Sequence, residues 1–245
     1  MKIFSEIGSY LILLKNVFHI PENPRLYRKK VIFEMRVLCL DSLPIIAVIS
    51  IFVGAAIVIQ LAANLSNPIY PRWITGYSSR EGIMLEFAPT MINLVLAGKI
   101  GSHIASEIGT MRITEQIDAL DVMGVNSASY LILPKIIACV LFSPVVIVVS
   151  IFLALMGGWL AGTLTGVISS YDFLDGLQLD YTNKSLIISL VKGLVYSFII
   201  SSIPAYRGYT VSGGALEVGR SSTKAVVESC ITLIIANLVI TNLLI

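Results

Sequence analysis

Charge is scarce in this chain. Its 245 residues include 17 Lys and Arg and 15 Asp and Glu, 13% in all, where a soluble domain carries about a quarter. With 56% hydrophobic residues and a mean hydropathy of +0.87, this excludes a water-soluble enzyme domain. The net charge of +2 is spread along the chain and forms no basic patch, so nucleic acid is not an expected partner. Histidine is nearly absent: His19 and His103 stand alone, without an H-E-x-x-H arrangement, and no metal site is expected. Cys39, Cys139 and Cys230 are widely spaced in apolar surroundings. That spacing is neither a disulfide framework nor a ligand cluster, and it marks core or lipid-facing residues. The N-terminus lacks a long apolar run ending at small residues, so no removable signal peptide is expected and the first span is expected to direct insertion.

What the chain does have is long apolar runs. A helix crossing a hydrocarbon core of ~30 Å needs about 20 mostly apolar residues. Residues 42–65, 136–168, 185–206 and 225–245 meet that length, the first two without any charge and the others with one lysine and one glutamate. Residues 83–105 carry Glu86, Lys99 and His103 around an uncharged middle and are expected to span while facing protein. The expected fold is an all-α integral membrane protein, a single domain over residues 1–245 with about five transmembrane helices. Residues 1–20 place Ile3, Ile7, Leu11, Leu14 and Phe18 at helical spacing, which suits a helix lying in the membrane interface or one packed on a soluble partner. Pro21 and Pro24 should end it. Arg25, Arg28, Lys29, Lys30 and Arg36 then form a basic cluster ahead of the first span. Counting Lys and Arg in short loops favours the N-terminus in the cytoplasm and the C-terminus outside. The loop holding Pro68, Tyr70, Pro71, Trp73 and Tyr77 is then outside, where such aromatics settle at the interface.

Small residues recur every fourth position: Ala97, Gly101, Ala105 and Gly109 in the second span, Gly158 and Gly162 in the third, Ser189, Gly193 and Ser197 in the fourth. Such stripes let helices approach closely where lipid supplies no hydrophobic drive, and a movable seam or subunit contact is the other reading. Residues 107–124 are polar and set Glu107, Glu115, Asp118 and Asp121 beside one Arg112, with Met111, Ile113, Ile117, Leu120 and Met123 at near-helical spacing. An acidic amphipathic helix held between spans suits docking by a cytoplasmic partner, and a solvated loop helix fits the same composition. Glu86 cannot face lipid cheaply, since an ionised carboxylate there costs at least ~2.5 kcal/mol. Lys99 is about 20 Å from it along one helix, too far to pair. Lys192, roughly 12 Å into the fourth span, is at a compatible depth and is the expected partner. Alternatively its stem snorkels to the outer surface.

The run from Glu86 to Pro134, EFAPTMINLVLAGKIGSHIASEIGTMRITEQIDALDVMGVNSASYLILP, resembles the signature of the MlaE permease family, which includes the chloroplast lipid-import permeases. The matching elements are E-x-x-P at Glu86 and Pro89, A-G-[RK]-x-G at Ala97 to Gly101, E-x-G-x-M at Glu107 to Met111 and E-Q-I-D-A-L at Glu115 to Leu120. GGALEVGRSSTKAVVES, Gly213 to Ser229, is similar to that family's last cytoplasmic loop and span. Lys99 and Lys135 stand where the family pattern has arginine, and Asn126-Ser127 replaces an acid-proline pair.

The resemblance implies the permease subunit of an ATP-binding-cassette transporter moving phospholipid between inner and outer membranes. It further implies a homodimer in the bacterial inner membrane, bound by two ATPase subunits and a periplasmic MCE-domain lipid-binding protein. Glu86, Lys192 and Pro89 would belong to the substrate cavity, and Glu115, Gln116, Ile117, Asp118, Leu120 and Asp121 to an ATPase-coupling helix. No G-x-x-x-x-G-K-[ST] loop is present, so ATP and Mg would be held by the partner and no cofactor by this chain. An ion-coupled carrier would need intramembrane charges, which exist, but also repeats that are not visible. A membrane-embedded lipid-metabolising enzyme would need acids and histidines clustered at one face.

Overall fold

A computed structural model describes residues 2–18, 24–65, 67 and 70–244; His19, Pro21 and Pro68 lie outside the described residues. No strand occurs among them, and the chain is helical almost throughout. Helix α1 covers Lys2–Val17. Five helices are long and apolar enough to cross a membrane: α2 (Tyr27–Asn64), α3 (Ile74–Ile113), α5 (Ser127–Leu164), α7 (Asn183–Tyr209) and α8 (Ala215–Leu244). Two short helices join them, α4 (Gln116–Val122) and α6 (Ser170–Gln178). The chain is thus an all-α protein with five membrane-spanning helices, as its apolar runs imply.

The helices outrun the apolar stretches that mark them. Polar residues can continue a helix once its middle is buried in hydrocarbon, because the backbone still gains from satisfying its own hydrogen bonds. So α2 begins far ahead of Ser42, preceded by a turn that opens at Pro24, where a missing N–H costs nothing. α3 likewise begins at Ile74 rather than near Ile83, and α5 passes Pro134 and Pro144 without interruption. Widened π-helical turns occupy Met35–Cys39, Ile83–Met91 and Ala97–Gly101.

The chain forms two compact units, neither of them contiguous. The first holds Met1–Ser42, Asn93–Phe142 and Val195–Thr241. Here α1 is tied down by polar contacts: Tyr10 Oη meets Ser202 Oγ at 2.8 Å and its ring stands edge-on to Tyr206 at 5.6 Å. Burial holds the Tyr10 phenol above its ordinary pKa, the Ser202 bond opposing. Arg207 donates to Glu6 at 2.8 Å and to Glu228 at 2.5 Å, and its bond and charge hold the Glu6 carboxyl below its ordinary pKa. At the other end of α1, Asn126 Nδ2 donates to the Asn16 carbonyl at 3.2 Å. Exposed Ile7, Leu11, Ile12 and Phe18 leave α1 an apolar outer side.

The second unit holds Leu43–Ile92, Ser143–Leu194 and Asn242–Ile245. α2 and α5 meet backbone to backbone: a β-carbon at Gly54 would overlap the Ala154 carbonyl, and one at Gly157 the Ile51 carbonyl. The start of α3 crosses α6 in the same manner through Gly76 and Gly176. Arg80, buried there, donates through Nη1 to the carbonyls of Leu177 and Leu179 at 2.6 and 2.8 Å. These are C-terminal carbonyls of α6, the groups a helix cannot satisfy itself. Arg80 also pairs with Glu81, whose second oxygen accepts from Ser185 Oγ at 2.8 Å.

Candidate functional site

In the second unit Lys192 and Glu86 form an ion pair of 2.7 Å. Lys192 is fully buried, so its stem does not snorkel to the outer surface. Its ammonium also donates to the Leu85 carbonyl at 2.8 Å. That carbonyl lies four residues before Pro89, whose missing N–H would be its donor in α-helical geometry. The lysine from α7 adds its bond to this carbonyl within the π-turn that contains the proline. The Glu86 side chain remains 41% exposed. Within a membrane span a half-exposed carboxylate must meet water, protein or a polar headgroup, since hydrocarbon solvates it poorly. Ser189, one turn from Lys192, and Ser143 on α5 are buried hydroxyls without a hydrogen-bond partner. Gly193 lies against Ile147 and Ser143, where any side chain would collide with Ile147.

The first unit contains the polar segment after the second span. Its backbone is not one helix: α3 ends at Ile113, Glu115 takes a left-handed conformation with φ 59°, and α4 begins at Gln116. Glu115 thus heads α4 instead of lying within it. Arg112 bonds Asp118 at 2.6 Å. Asp121 Oδ1 accepts from the Ser127 amide at 3.4 Å, at the start of α5. Ile117 is fully buried against its own chain. The outward surface of this corner consists of Glu115, Gln116, Asp118, Ala119, Asp121, Val122 and Met123, with Leu120 half-buried. Val122 and Met123, 88% and 69% exposed, are an apolar tip beside these acids; sequence reading overlooked Val122. An open cleft lies alongside, lined by Arg112, Glu115, Asp118 and Tyr209 to Gly213.

Behind that corner is a buried charge cluster with no counterpart among the sequence-derived candidates. Lys135 Nζ bonds both oxygens of Glu34 at 2.8 Å and Glu107 Oε2 at 2.7 Å, using all three ammonium donors. Lys135 and Glu34 are nearly inaccessible, Glu107 is partly exposed, and His103 Nδ1 lies 3.5 Å from Glu107. A lysine five residues beyond Tyr130 and a glutamate in a basic run were the only signals, and neither shows the pairing. The small-residue positions are all buried. Gly101 faces Pro204, Gly109 faces Val218, and Ala105 lies against Gly208. Gly158 and Gly162 face Val58, with Ile168 also beside Gly162. Ala97 is fully buried.

Five apolar helices, with charged groups paired inside them and an acid-rich corner between two of them, define a multi-pass membrane protein built for more than anchoring. A family model described as Permease MlaE matches residues 31–243, and the chain belongs to that family of ABC transporter permeases. A probable ABC transporter permease protein of Rickettsia bellii (strain RML369-C) is 34% identical over 247 residues, 99% of this chain and 93% of the relative. One from Synechocystis sp. (strain ATCC 27184 / PCC 6803 / Kazusa) is 34% identical, with 96% and 89% covered. The Arabidopsis thaliana protein Trigalactosyldiacylglycerol 1, chloroplastic, is 32% identical over 201 residues, 82% of this chain and 57% of that protein.

Proposed function

We propose that this chain is the membrane subunit of a phospholipid transporter working between the inner and outer membranes, with ATP hydrolysed by separate subunits. The observation that carries it is the Glu86–Lys192 pair. A fully buried ammonium and a half-exposed carboxylate inside membrane-spanning helices suit the wall of a polar vestibule better than lipid contact. The carboxylate holds Lys192 in place, and its exposed part contributes the negative charge of that wall. The relative named for trigalactosyldiacylglycerol supports a lipid cargo.

ATP hydrolysis belongs to a partner docked at the corner made by Glu115 and α4. There Gln116, Asp118, Asp121, Val122 and Met123 form the outward contact, Leu120 its flank, and Ile117 the anchor holding α4 to its own chain. Acids around an apolar tip would meet a groove with a basic rim. The active assembly is a homodimer in the bacterial inner membrane, N-terminus cytoplasmic and C-terminus periplasmic, with two ATPase subunits and a periplasmic MCE-domain protein, while α1 lies in the membrane interface. ATP and Mg are held by the ATPase subunits, and the small-residue positions from Ala97 to Gly193 are helix-packing contacts.

The test is copurification with the transporter's ATPase subunit. Glu115→Lys together with Asp118→Lys should abolish association while leaving the helical circular dichroism intact. Undiminished association and undiminished stimulation of hydrolysis would refute the docking role.

A further inference from the structure

The docking corner has a second wall, which the contact proposed above leaves unused. The open cleft beside α4 is bounded on one side by Glu115 and Asp118 and on the other by Tyr209 to Gly213, the stretch that leaves α7, with Arg112 between them. Both walls belong to the first compact unit. At about 530 Å³ the cleft has the room of roughly 18 waters at ~30 Å³ each, far more than a lone ion fills and enough for a side chain with part of its backbone.

The charges around this cleft do not cancel. Arg112 is held by Asp118 at 2.6 Å and lies over the Tyr209 ring at 6.0 Å, so that cation is already matched. Glu217 and Arg220, the next charges beyond Gly213, pair with each other at 2.7 Å. Glu115 is exposed and has no bonded cation among the described residues. The facing wall adds to this carboxylate: α7 ends at Tyr209, and a helix carries about half a negative charge at its carbonyl end. Arg207, the basic residue of that last turn, is taken by Glu6 and Glu228. The carbonyl end of α3, at Ile113 on the same cleft, offsets the amide end of the short α4. A surplus of negative charge therefore stands on both sides.

From this we infer that the cleft receives a basic side chain of the docked ATPase subunit, an arginine whose guanidinium bonds the Glu115 carboxylate and the carbonyls that close α7. The inference rests on α4 being the docking element, and it adds the segment 209–213 to that element. Arginine suits the place because its planar fork meets a carboxylate and a carbonyl at once, where an ammonium is a single point of charge. α4 has 7 residues, about 10 Å at 1.5 Å each. The partner is thus gripped at two unlike points, by charge at the Glu115 end and by the apolar Val122–Met123 tip at the other. That fixes the direction in which α4 lies on the partner, since the reversed fit would set a cation on the tip and an apolar pocket on Glu115.

The experiment puts a thiol on the far wall, Ser212→Cys with Cys230→Ser, in the detergent-purified full chain. Its modification by a cationic and by an anionic methanethiosulfonate is followed, each relative to the reagent's rate with a free thiol. In the chain alone the cationic reagent should react several-fold faster, and Glu115→Gln should remove most of that preference. With the ATPase subunit bound, both reagents should slow at least tenfold, while a thiol at Ser9→Cys on α1 keeps its rate. Glu115→Gln should also weaken the association a few-fold, the scale of an exposed charge pair. Equal reagent rates in the chain alone, or an affinity unchanged by Glu115→Gln, would overturn the inference. A complex that protects Val122→Cys but leaves Ser212→Cys as reactive as before would overturn it and leave the docking role of α4 standing. No association of the wild-type chain with the ATPase would overturn both.

Discussion

Replacing Lys135 by methionine keeps the apolar stem and removes the ammonium that three carboxylate oxygens share. Two carboxylates are left behind in unequal positions. Glu107 is 35% exposed and can be hydrated, whereas Glu34, at 4%, loses its counter-ion where water does not reach. Breaking a buried pair by removing one partner costs about 3–5 kcal/mol, nearly all of it here from Glu34. In a chain of this size that corresponds to a fall of roughly 6–20 °C in the melting temperature. The assay is thermal unfolding of the detergent-purified protein followed by far-ultraviolet circular dichroism. Adding Glu34→Gln should recover most of the loss, because the stranded charge goes with it, and Lys135→Arg should stay within about 1 kcal/mol, since both partners still face a cation. A melting temperature for Lys135→Met within about 2 °C of the wild type would refute the reasoning. So would a double variant as unstable as the single one.

Gly54→Ala should destabilise strongly, by at least about 2 kcal/mol, because its β-carbon meets the Ala154 carbonyl and not a flexible side-chain end; Gly98→Ala, with nothing nearby, should be neutral or slightly stabilising, and the same unfolding assay reads both. Arg80→Lys keeps the charge but loses the fork that reaches two α6 carbonyls and Glu81 together; α6 should become more open to protease than the rest of the chain. The Glu6–Arg207 bond depresses the Glu6 pKa, so its contribution to holding α1 is complete above the ordinary value of 4.5 and is lost as pH falls through the depressed one. A spin label at Ser9→Cys should therefore gain mobility only in acid below that range, and earlier at high salt; equal mobility from neutral pH to pH ~3 would contradict it.

The spans were legible because the bilayer demands a long apolar run and the sequence supplies five. What lay beyond their ends was not. Arg80 and Glu81 look like loop residues to a hydropathy reading, yet Arg80 is satisfied by carbonyls nearly a hundred positions later, so α3 starts nine residues earlier than its apolar run suggests. α6 was hidden by Asp172 and Asp175 in so short a stretch, and its buried side, Phe173 and Gly176, offers only two residues. Glu86 and Lys192 could be matched by depth because both belong to spans counted from the same membrane side. Lys135 and Glu34 could not, since nothing in either neighbourhood shows which helix the other will meet. The corner before α4 was misjudged as a single helix because no residue type there announces a left-handed turn; a glutamate at φ 59° is held by its surroundings and not by its own preference.

The proposed path of ATP-driven lipid movement passes the Glu86–Lys192 pair. The most direct measurement is ATP-dependent transfer of a labelled phospholipid out of proteoliposomes containing the chain with its ATPase and MCE-domain partners. Glu86→Gln, which keeps the side chain's shape and removes its charge, should lower transfer severalfold while assembly and basal ATP hydrolysis persist. Transfer at the wild-type rate in that variant, or no phospholipid transfer by the assembled and ATP-hydrolysing wild-type complex, would contradict it.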